Sequence, residues 1–275
     1  QPLSAAGADG TYSWSVSAGT LPAGISLVGS TISGTPTSTG TSEFTVKATS
    51  GDGQTATRPL SIKVLPGLSV TTASLPSGIV DTAYATTLTA TGGDSTFVWS
   101  ITSGTLPDGL TLSADTIAGT PTTAASNPDG YPYPDTLTST FTVQVTSGDA
   151  QTVTKELSLS VFDSLVIDTS DFTYTGVSWV KGSSYSRVVK ATGGDGVYTW
   201  SLASGSLPPG LILGKRNSGG WAEFADIEGT PTAAGSFEFT VKVESGDGQS
   251  VTKAVTITVD QVGTIITLSA TSLTL

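Results

Sequence analysis

Residues 88 to 122 read LTATGGDSTFVWSITSGTLPDGLTLSADTIAGTPT, and this stretch decides the fold because the chain contains it three times. Around Trp14 it reads LSAAGADGTYSWSVSAGTLPAGISLVGSTISGTPT. Around Trp200 it reads VKATGGDGVYTWSLASGSLPPGL, followed by an insertion and a final IEGTPT. The step from Trp14 to Trp99 is 85 residues, and the step from Trp99 to Trp200 is 101. Self-similarity of this kind predicts a tandem array of one small domain, with loop insertions that lengthen the later copies.

Each copy continues into an alternating segment, a polar turn and a second alternating segment. Apolar residues fill every second position of these segments: Phe44, Val46, Ala48; Leu60, Ile62, Val64; Phe141, Val143, Val145; Leu157, Leu159, Val161; Val255, Ile257, Val259. Period-two alternation is typical of half-buried strands, and no stretch has the spacing of an amphipathic helix. The turns GDG at 51–53 and 246–248 and GDA at 148–150 supply residues that tolerate positive φ.

These patterns predict an all-β protein built of antiparallel sandwiches. The repeat limits predict domains at 1–64, 65–161 and 162–259, followed by a tail at 260–275. We call the three copies the first, middle and third repeats.

The composition narrows the possible functions. The net charge is −11, and the acidic and basic residues are dispersed, whereas nucleic-acid binding needs clustered Lys and Arg. The chain has no Cys and no His, so it cannot form a His-based acid and base, a Ser-His-Asp triad or a thiolate nucleophile. No apolar run reaches the length of a membrane span. We therefore expect no enzyme activity, no cofactor, no nucleic-acid partner and no membrane span.

Aspartates recur in turns of every copy and are the remaining candidates for a metal site or a carboxylate pair. Asp9, Asp94 and Asp195 precede the Trp strand, and Asp52, Asp149 and Asp247 lie in the GD turns. Their repetition beside Gly favours turn formation over catalysis, and no DxDxD cluster accompanies them. We expect no metal ligands here, although calcium at the joints between repeats stays an alternative.

The combined motif GDGxYxWS, LPxGL and GTPTxxGxxxFTV resembles the bacterial "putative Ig" repeats, relatives of the cadherin-like domains of dystroglycan. The resemblance covers nearly the whole chain. It implies three tandem Ig-like β-sandwich domains in a secreted or surface-anchored protein, as adhesive or spacer modules. Many such repeats have TDxxG after the FTV strand, whereas this chain has TSGDGQ, TSGDAQ and ESGDGQ.

The two ends of the sequence differ from the middle. Leu3 aligns with Leu88 and Val189, so the first repeat begins inside its second strand and has no counterpart of the first strand. After Val259 the chain continues DQVGTIITLSATSLTL, which is similar to GLSVTTASLP at the start of the middle repeat. A sandwich without an edge strand is a template for an incoming strand.

We therefore expect Leu3, Ala5 and Trp14 to border an acceptor groove in the first domain. The donor strand is expected to present these tail residues: Ile265, Ile266, Leu268, Ala270, Leu273, Leu275. Insertion of one chain's tail into the next gives a head-to-tail homopolymer, an extracellular, pilus-like filament. The alternatives are a spacer or adhesin stalk cut from a longer array, and a carbohydrate-binding accessory module. A host surface or a glycan is then a further candidate partner.

Two insertions distinguish the later repeats. The middle repeat adds about 124–138, which includes Tyr131 and Tyr133, and the third adds about 214–226, which includes Trp221 and Phe224. Loops longer than the fold requires often serve contacts, so these four aromatic residues are candidate loop contacts. Trp179 and Tyr185, in the third repeat's longer first-to-second-strand segment, raise the same question. By contrast, Trp14, Trp99 and Trp200 alternate with aliphatic residues and are expected in the cores.

Overall fold

A computed structural model describes residues 1–123, 137–172, 179–218 and 221–261. Every regular element in these ranges is a strand except one 3₁₀ helix, Ser170–Phe172. The prediction of an all-β protein is confirmed. In the described ranges, accordingly, no helix is long and apolar enough to cross a membrane.

The strands follow the three sequence repeats. The first repeat contains β1 (Tyr12–Gly19), β2 (Ile25–Val28), β3 (Thr31–Gly34), β4 (Gly40–Ser50) and β5 (Thr55–Val64). The middle repeat contains β6 (Ser69–Val70), β7 (Gly78–Ile79), β8 (Tyr84–Thr87), β9 (Ala90–Thr91), β10 (Phe97–Gly104), β11 (Leu110–Ser113), β12 (Thr116–Gly119), β13 (Leu137–Ser147) and β14 (Thr152–Phe162). The third repeat contains β15 (Val166–Asp168), β16 (Trp179–Val180), β17 (Tyr185–Thr192), β18 (Tyr198–Gly205), β19 (Leu211–Ser218), β20 (Trp221–Gly229), β21 (Gly235–Ser245) and β22 (Ser250–Asp260).

Contacts between Cα atoms group the chain into two compact units. Unit 1 consists of Gln1–Ala73, Leu88–Thr102 and Thr142–Lys155. Unit 2 consists of Ser74–Thr87, Ser103–Phe141 and Glu156–Leu275. These ranges do not test the predicted domain limits at residues 64, 161 and 259, which stay a prediction.

The third repeat, inside unit 2, is a sandwich of two four-stranded sheets. One sheet has the order β15-β17-β20-β19 and the other β16-β22-β21-β18. Alternate residues of both sheets are buried between them and include Val189, Trp200, Ile227, Val241 and Ile257. The alternation in the sequence places these side chains on one face of each strand, which is why two sheets can share one core.

The first repeat, inside unit 1, has a three-stranded sheet of order β1-β4-β5 and a two-stranded sheet of β2 and β3. Ile32, Phe44 and Val46 form its buried core. Further apolar side chains pack against these three but stay partly exposed: Leu3, Trp14, Val16, Leu21, Ile25, Leu27, Leu60, Ile62. The buried cluster of the first repeat is thus smaller than that of the third repeat, which has 16 buried residues.

The middle repeat forms three sheets. Their strand orders are β10-β13-β14-β7, β11-β12-β8 and β6-β9. Phe141, Val143, Val145, Leu159 and Val161 are buried in alternation along β13 and β14, as the sequence predicts.

The predicted GD turns connect the last two long strands of each repeat. Gly53 and Gly248 have φ of 88° and 93°, and Ala150 has φ of 67° at the same place in the middle repeat. The prediction of positive φ in these turns is confirmed, and Ala150 adopts it without being glycine. Left-handed backbone costs an L-residue about 1 kcal/mol or more, so Ala150 is locally strained.

The LPxG sequences form turns in which the carbonyl of the proline accepts a hydrogen bond from the residue three positions later, as in Leu110 N to Pro107 O at 3.1 Å. Gly109 of this motif lies against Thr120, and a Cβ on Gly109 would be 2.0 Å from the Thr120 carbonyl oxygen. The separate LPxGL and GTPT motifs are therefore two sides of one close backbone contact. The LPxG sequences are therefore proline-initiated turns.

Candidate functional site: an open cleft in the first repeat

The three predicted acceptor residues, Leu3, Ala5 and Trp14, line one cleft in the first repeat. Its volume is about 420 Å³, and it lies entirely within unit 1. The remaining lining is apolar or small apart from Arg58 at the rim, and comprises Pro2, Ser4, Ala6, Val46, Ala48, Ala56, Thr57, Arg58 and Leu60. The cleft lies between the start of the chain and the strands β1, β4 and β5.

Residues 1–3 occupy the place of a second strand. Pro2 pairs with Thr31, and Leu3 N donates to Ser30 O at 2.7 Å. The aligned pair in the middle repeat is Thr87 with Thr116, within the pairing of β8 and β12. The beginning of the described chain is therefore fixed in the same register as in the middle repeat, and this brings Leu3 and Ala5 to the cleft.

Burial differs between aligned residues of the three repeats. Leu159 and Ile257 are 0% and 3% exposed, whereas the aligned Ile62 is only half-buried. Leu88 and Val189 are buried while Leu3 is half-buried, and Trp99 and Trp200 are buried while Trp14 is half-buried. The prediction that the three tryptophans belong to cores is confirmed for Trp99 and Trp200. Trp14 faces a core that is open on one side.

In the middle and third repeats, a first strand covers the core at the place that is open in the first repeat. This strand pairs with two different segments of its own repeat. Its first half pairs antiparallel with the segment that follows the second strand, as in Val70 with Ala90 and Ile167 with Ala191. Its second half pairs parallel with the last strand, as in Gly78 with Val161.

In the third repeat the same parallel pair joins Trp179 to Val259. The last strand of the first repeat is β5, which is an edge strand of its sheet. Among the residues that the structure describes, no strand pairs with the outer edge of β5. Unpaired backbone groups of an edge strand are available to an additional strand.

Asp9 fixes the loop that connects the cleft residue Ala6 to strand β1. Asp9 Oδ1 accepts hydrogen bonds from Thr11 N at 2.9 Å, Thr11 Oγ1 at 2.9 Å and Gly51 N at 3.2 Å. The backbone N–H of Thr11 is the main cause that lowers the pKa of Asp9, because these donors favour the carboxylate. Asp94 makes the same three kinds of bond in the middle repeat, to Thr96 and Gly148.

The recurrent aspartates therefore fix turns, as favoured from the sequence. Within the described ranges, no group of three or more Asp and Glu residues is arranged to hold a metal ion.

A second surface feature lies in the third repeat around Trp179. The Arg187 guanidinium carbon lies 4.3 Å from the Trp179 ring centroid, and the rings of Trp179 and Tyr185 are 4.5 Å apart. Burial raises the pKa of Tyr185 to about 12. Since β16 pairs with β22, Trp179 covers the edge of β22, which corresponds to the outer edge of β5 in the first repeat.

The other predicted contact residues are not all in loops. Tyr131 and Tyr133 lie outside the described residues, as do the six donor-strand residues of the tail. Trp221 and Phe224 lie on strand β20, so the prediction of a loop at 214–226 is wrong. Strands β19 and β20 extend as one hairpin from the Leu211–Gly229 pair to the Ser218–Trp221 pair. The extension follows from the pairing of the added residues, since Gly214 pairs with Asp226 and Arg216 with Phe224.

The sequence contains a further recurrent residue, directly after each GD turn. A Gln follows the GD turn in every repeat, at positions 54, 151 and 249. In the two later repeats its side chain bonds to the residues that begin the first strand: Gln151 Oε1 accepts from Leu68 N at 3.0 Å, and Gln249 Oε1 accepts from Leu165 N at 2.8 Å. The recurrence of this Gln after the turn is the signal in the sequence that indicates a structural partner.

A family model described as "Putative Ig domain" matches residues 1–65 and 168–260, more than half of the chain. No curated protein shows significant sequence similarity to the chain.

The solved structures that match this chain have low sequence identity to it. A three-immunoglobulin-domain fragment of titin is 14% identical, with a TM-score of 0.41, and the match covers 91% of this chain and 88% of that one. Extracellular domains 3–5 of Drosophila OTK are 12% identical, with a TM-score of 0.39 and coverages of 90% and 84%. An endo-fucoidan hydrolase of glycoside hydrolase family 107 is 20% identical, with a TM-score of 0.28, and the chain spans 39% of its length.

Proposed function

Since the chain belongs to the family described as "Putative Ig domain", we propose that it is a structural subunit of an extracellular filament. In this proposal three Ig-like β-sandwich domains, at 1–64, 65–161 and 162–259, follow one another. The segment 260–275 of one subunit inserts as a strand into the cleft of the next subunit's first domain. The subunit acts by assembly and performs no catalysis.

The observation that carries the proposal is the contrast between aligned residues of the last strands. Leu157, Leu159 and Val161 are buried in the middle repeat. Their counterparts Leu60, Ile62 and Val64 are all half-buried. The apolar pattern is the same in both strands, so the sequence of β5 is suited to a covered strand. An added strand of the missing type supplies that cover.

The two later repeats indicate how such a strand would sit. Its first half would pair antiparallel with Ala5 and Ala6, which align with Ala90 and Thr91 of strand β9. With Ile266 in the place of Leu68, Leu275 takes the place of Ser77, one residue before Gly78, which pairs parallel with β14. This mode of binding, in which a strand from another chain completes a sheet, supplies main-chain hydrogen bonds and side-chain pockets together.

The tail has the side chains that this site requires. When its sequence is aligned with LSVTTASL at 68–75, Ile266 takes the place of Leu68, Leu268 that of Val70 and Leu273 that of Leu75. Burial of one such side chain contributes roughly 1.5 to 3 kcal/mol, and this gain must exceed the entropy of ordering the segment. A contact between the tail of one copy and the first repeat of another is heterologous, so it propagates unless the chain of subunits closes into a ring.

A stalk or spacer of a larger surface protein is the second candidate, because it uses the same modules. In that case residues that precede Gln1 in the same polypeptide fill the cleft, and the tail leads into a further module. The two functions differ in one measurable respect: only the filament requires the tail of a second copy.

Assembly of tail variants tests the proposal. We expect the full chain to form filaments in negative-stain electron microscopy, and a deletion of 264–275 to remain monomeric by sedimentation velocity. Leu268→Asp should also prevent assembly, because it places a carboxylate in the apolar cleft. Ser269→Asp is the matched control, since in an alternating strand it faces the opposite side and should assemble normally. If all four proteins have the same sedimentation coefficient and none polymerises, the filament function is wrong.

A further inference from the structure

Each of the two later repeats holds the start of its first strand with three backbone contacts. In the middle repeat Pro66 O accepts from Gly93 N at 2.9 Å and from Gln151 Nε2 at 3.4 Å. Two residues later, Leu68 N donates to Gln151 Oε1 at 3.0 Å. The Gln side chain therefore contacts the C=O of one residue and the N–H of the second residue after it.

The third repeat contains the same arrangement. Asp163 O accepts from Gly194 N at 2.9 Å and from Gln249 Nε2 at 3.0 Å, and Leu165 N donates to Gln249 Oε1 at 2.8 Å. Since Pro66 and Asp163 have different side chains, the contacts select a backbone position and not a residue type. The only side chain that the two strands share at this point is the leucine.

A glycine completes the arrangement by allowing the strand to approach. A Cβ on Gly92 would be 2.0 Å from Gly67 O, and a Cβ on Gly193 would be 2.1 Å from Ser164 O. The aligned residue in the first repeat is Gly7, and no atom lies within 4 Å of the position of its Cβ. The space that the first strand occupies in the later repeats is thus open beside Gly7.

The first repeat contains the counterparts of these groups, namely Gln54, Gly7 and the backbone N–H of Ala8. Gln54 Nε2 donates to Asp52 Oδ2 at 2.9 Å, as Gln151 and Gln249 do to the aspartates of their turns. The Tyr12 hydroxyl donates to Gly7 O, as the Tyr198 hydroxyl donates to Gly193 O. Among the described residues, none donates to Gln54 Oε1. The groups are held ready before any strand binds, which lowers the cost of binding.

We infer that Gln54, the Ala8 N–H and Gly7 form a backbone clamp that sets the register of the strand inserted into the first repeat. This inference rests on the proposed function and names the position that the clamp holds. Alignment of the tail with 68–75 places Thr264 at the position of Pro66 and Ile266 at that of Leu68. The Thr264 C=O then accepts from Ala8 N and Gln54 Nε2, and the Ile266 N–H donates to Gln54 Oε1.

Register matters here because a shift of one residue moves every side chain to the other face. With Ile266 in the clamp, Leu268 takes the place of Val70 and lies on the same face of the strand as Ile266. With Ile265 in the clamp, Thr267 takes that place. The clamp therefore determines which of two alternating sets of side chains is buried.

Peptides with single N-methyl groups test the clamp. The protein is the full chain carrying Leu268→Asp, so that its own tail does not compete, and the probe is a fluorescent peptide of residues 262–275. We expect N-methylation at Ile266 to weaken binding roughly tenfold, the effect of about one lost hydrogen bond and some steric exclusion. N-methylation at Ile265 is the matched control, because among the described residues no group accepts from the aligned Gly67 N or Ser164 N. It should change the dissociation constant less than threefold.

Substitution of the clamp residue completes a double-mutant cycle. Gln54→Ala should weaken the unmodified peptide about tenfold, and N-methylation at Ile266 should then cause little further loss. Gln151→Ala is the matched control and should leave peptide affinity unchanged, since that clamp already holds its own strand.

Equal losses for both methylated peptides, or full additivity with Gln54→Ala, would show that Gln54 does not hold Ile266. In that case strand insertion itself still stands. If the unmodified peptide fails to bind, the proposed function is refuted and the clamp with it.

Discussion

Truncation of one isoleucine in two aligned strands measures how far the core of the first repeat is open. Ile62 on β5 and Ile257 on β22 occupy the same place in their repeats. Ile257 is 3% exposed, whereas Ile62 is half-buried. Ile62→Ala and Ile257→Ala remove the same atoms from a partly covered and from a closed core. The host chain carries Leu268→Asp, so that no tail occupies the cleft.

The burial of each side chain determines the expected loss in the free energy of unfolding. Truncation of a buried isoleucine to alanine costs about 2–5 kcal/mol, so we take ~3 kcal/mol for Ile257→Ala. A half-buried side chain loses less transfer free energy and leaves a site that water already reaches. For Ile62→Ala we therefore expect ~1.5 kcal/mol. Addition of the peptide 262–275 should raise that value towards 3 kcal/mol, because the inserted strand covers Ile62.

Hydrogen exchange read by mass spectrometry reports these costs separately for each repeat. Peptides from β4–β5 and from β21–β22 give the local opening free energies, and each tenfold change in exchange rate corresponds to about 1.4 kcal/mol. We expect Ile257→Ala to accelerate exchange in its repeat by roughly two orders of magnitude and Ile62→Ala by about one. Equal acceleration without peptide would refute the reasoning, since it would mean that the core of the first repeat is already closed.

Three further predictions concern the turns and the buried phenols. The Thr96 hydroxyl and N–H lower the pKa of Asp94 below its ordinary 3.8, so its stabilisation is complete above about pH 4 and is lost as the pH falls below that. The difference in melting temperature between wild type and Asp94→Asn should therefore be larger at pH 6 than at pH 2, and a constant difference would contradict this. Ala150→Gly should stabilise the β13–β14 hairpin by about 1 kcal/mol in hydrogen exchange, and Gly53→Ala should destabilise its own hairpin by a similar amount; no change in either would show that the positive φ is not strained. Burial raises the pKa of Tyr84 and of Tyr185 to about 12, so the stabilisation from these neutral phenols is complete below pH 10 and is lost as the pH rises through 12. Absorbance at 295 nm should show a late ionisation step that shrinks in Tyr84→Phe and in Tyr185→Phe, whereas a single step near pH 10 would exclude it.

The strands and turns could be predicted because their signals are local. The alternation of Phe141, Val143 and Val145 fixes which face of β13 is buried, and one strand's sequence is enough to read it. The GD turns are similarly local, since φ above zero restricts the residue types that can occupy them. The three predicted acceptor residues could be placed at one cleft because the alignment of repeats transfers the register of a complete repeat to an incomplete one.

The hairpin at 211–229 and the role of the glutamines could not be predicted in the same way. The sequence predicts a loop for Trp221 and Phe224 because the insertion interrupts the repeat, yet the extra residues continue the pairing of β19 and β20. Whether an insertion forms a loop or lengthens a hairpin depends on the partner strand, which periodicity does not show. Gln151 bonds to a residue 83 positions away, and a contact over that distance leaves no local pattern beyond its recurrence.

The short parallel pairs have a mechanical consequence. In the middle repeat Gly78 and Ile79 run beside Val161 and Phe162 in the same direction, close to the point where the chain leaves the repeat. Tension applied between the start and the end of such a repeat pulls the two strands past each other. All hydrogen bonds of the pair are then loaded together, instead of opening one after another as in a peeled hairpin. The third repeat has the same parallel pair, between Trp179 and Val259, so both later repeats should resist tension in this way.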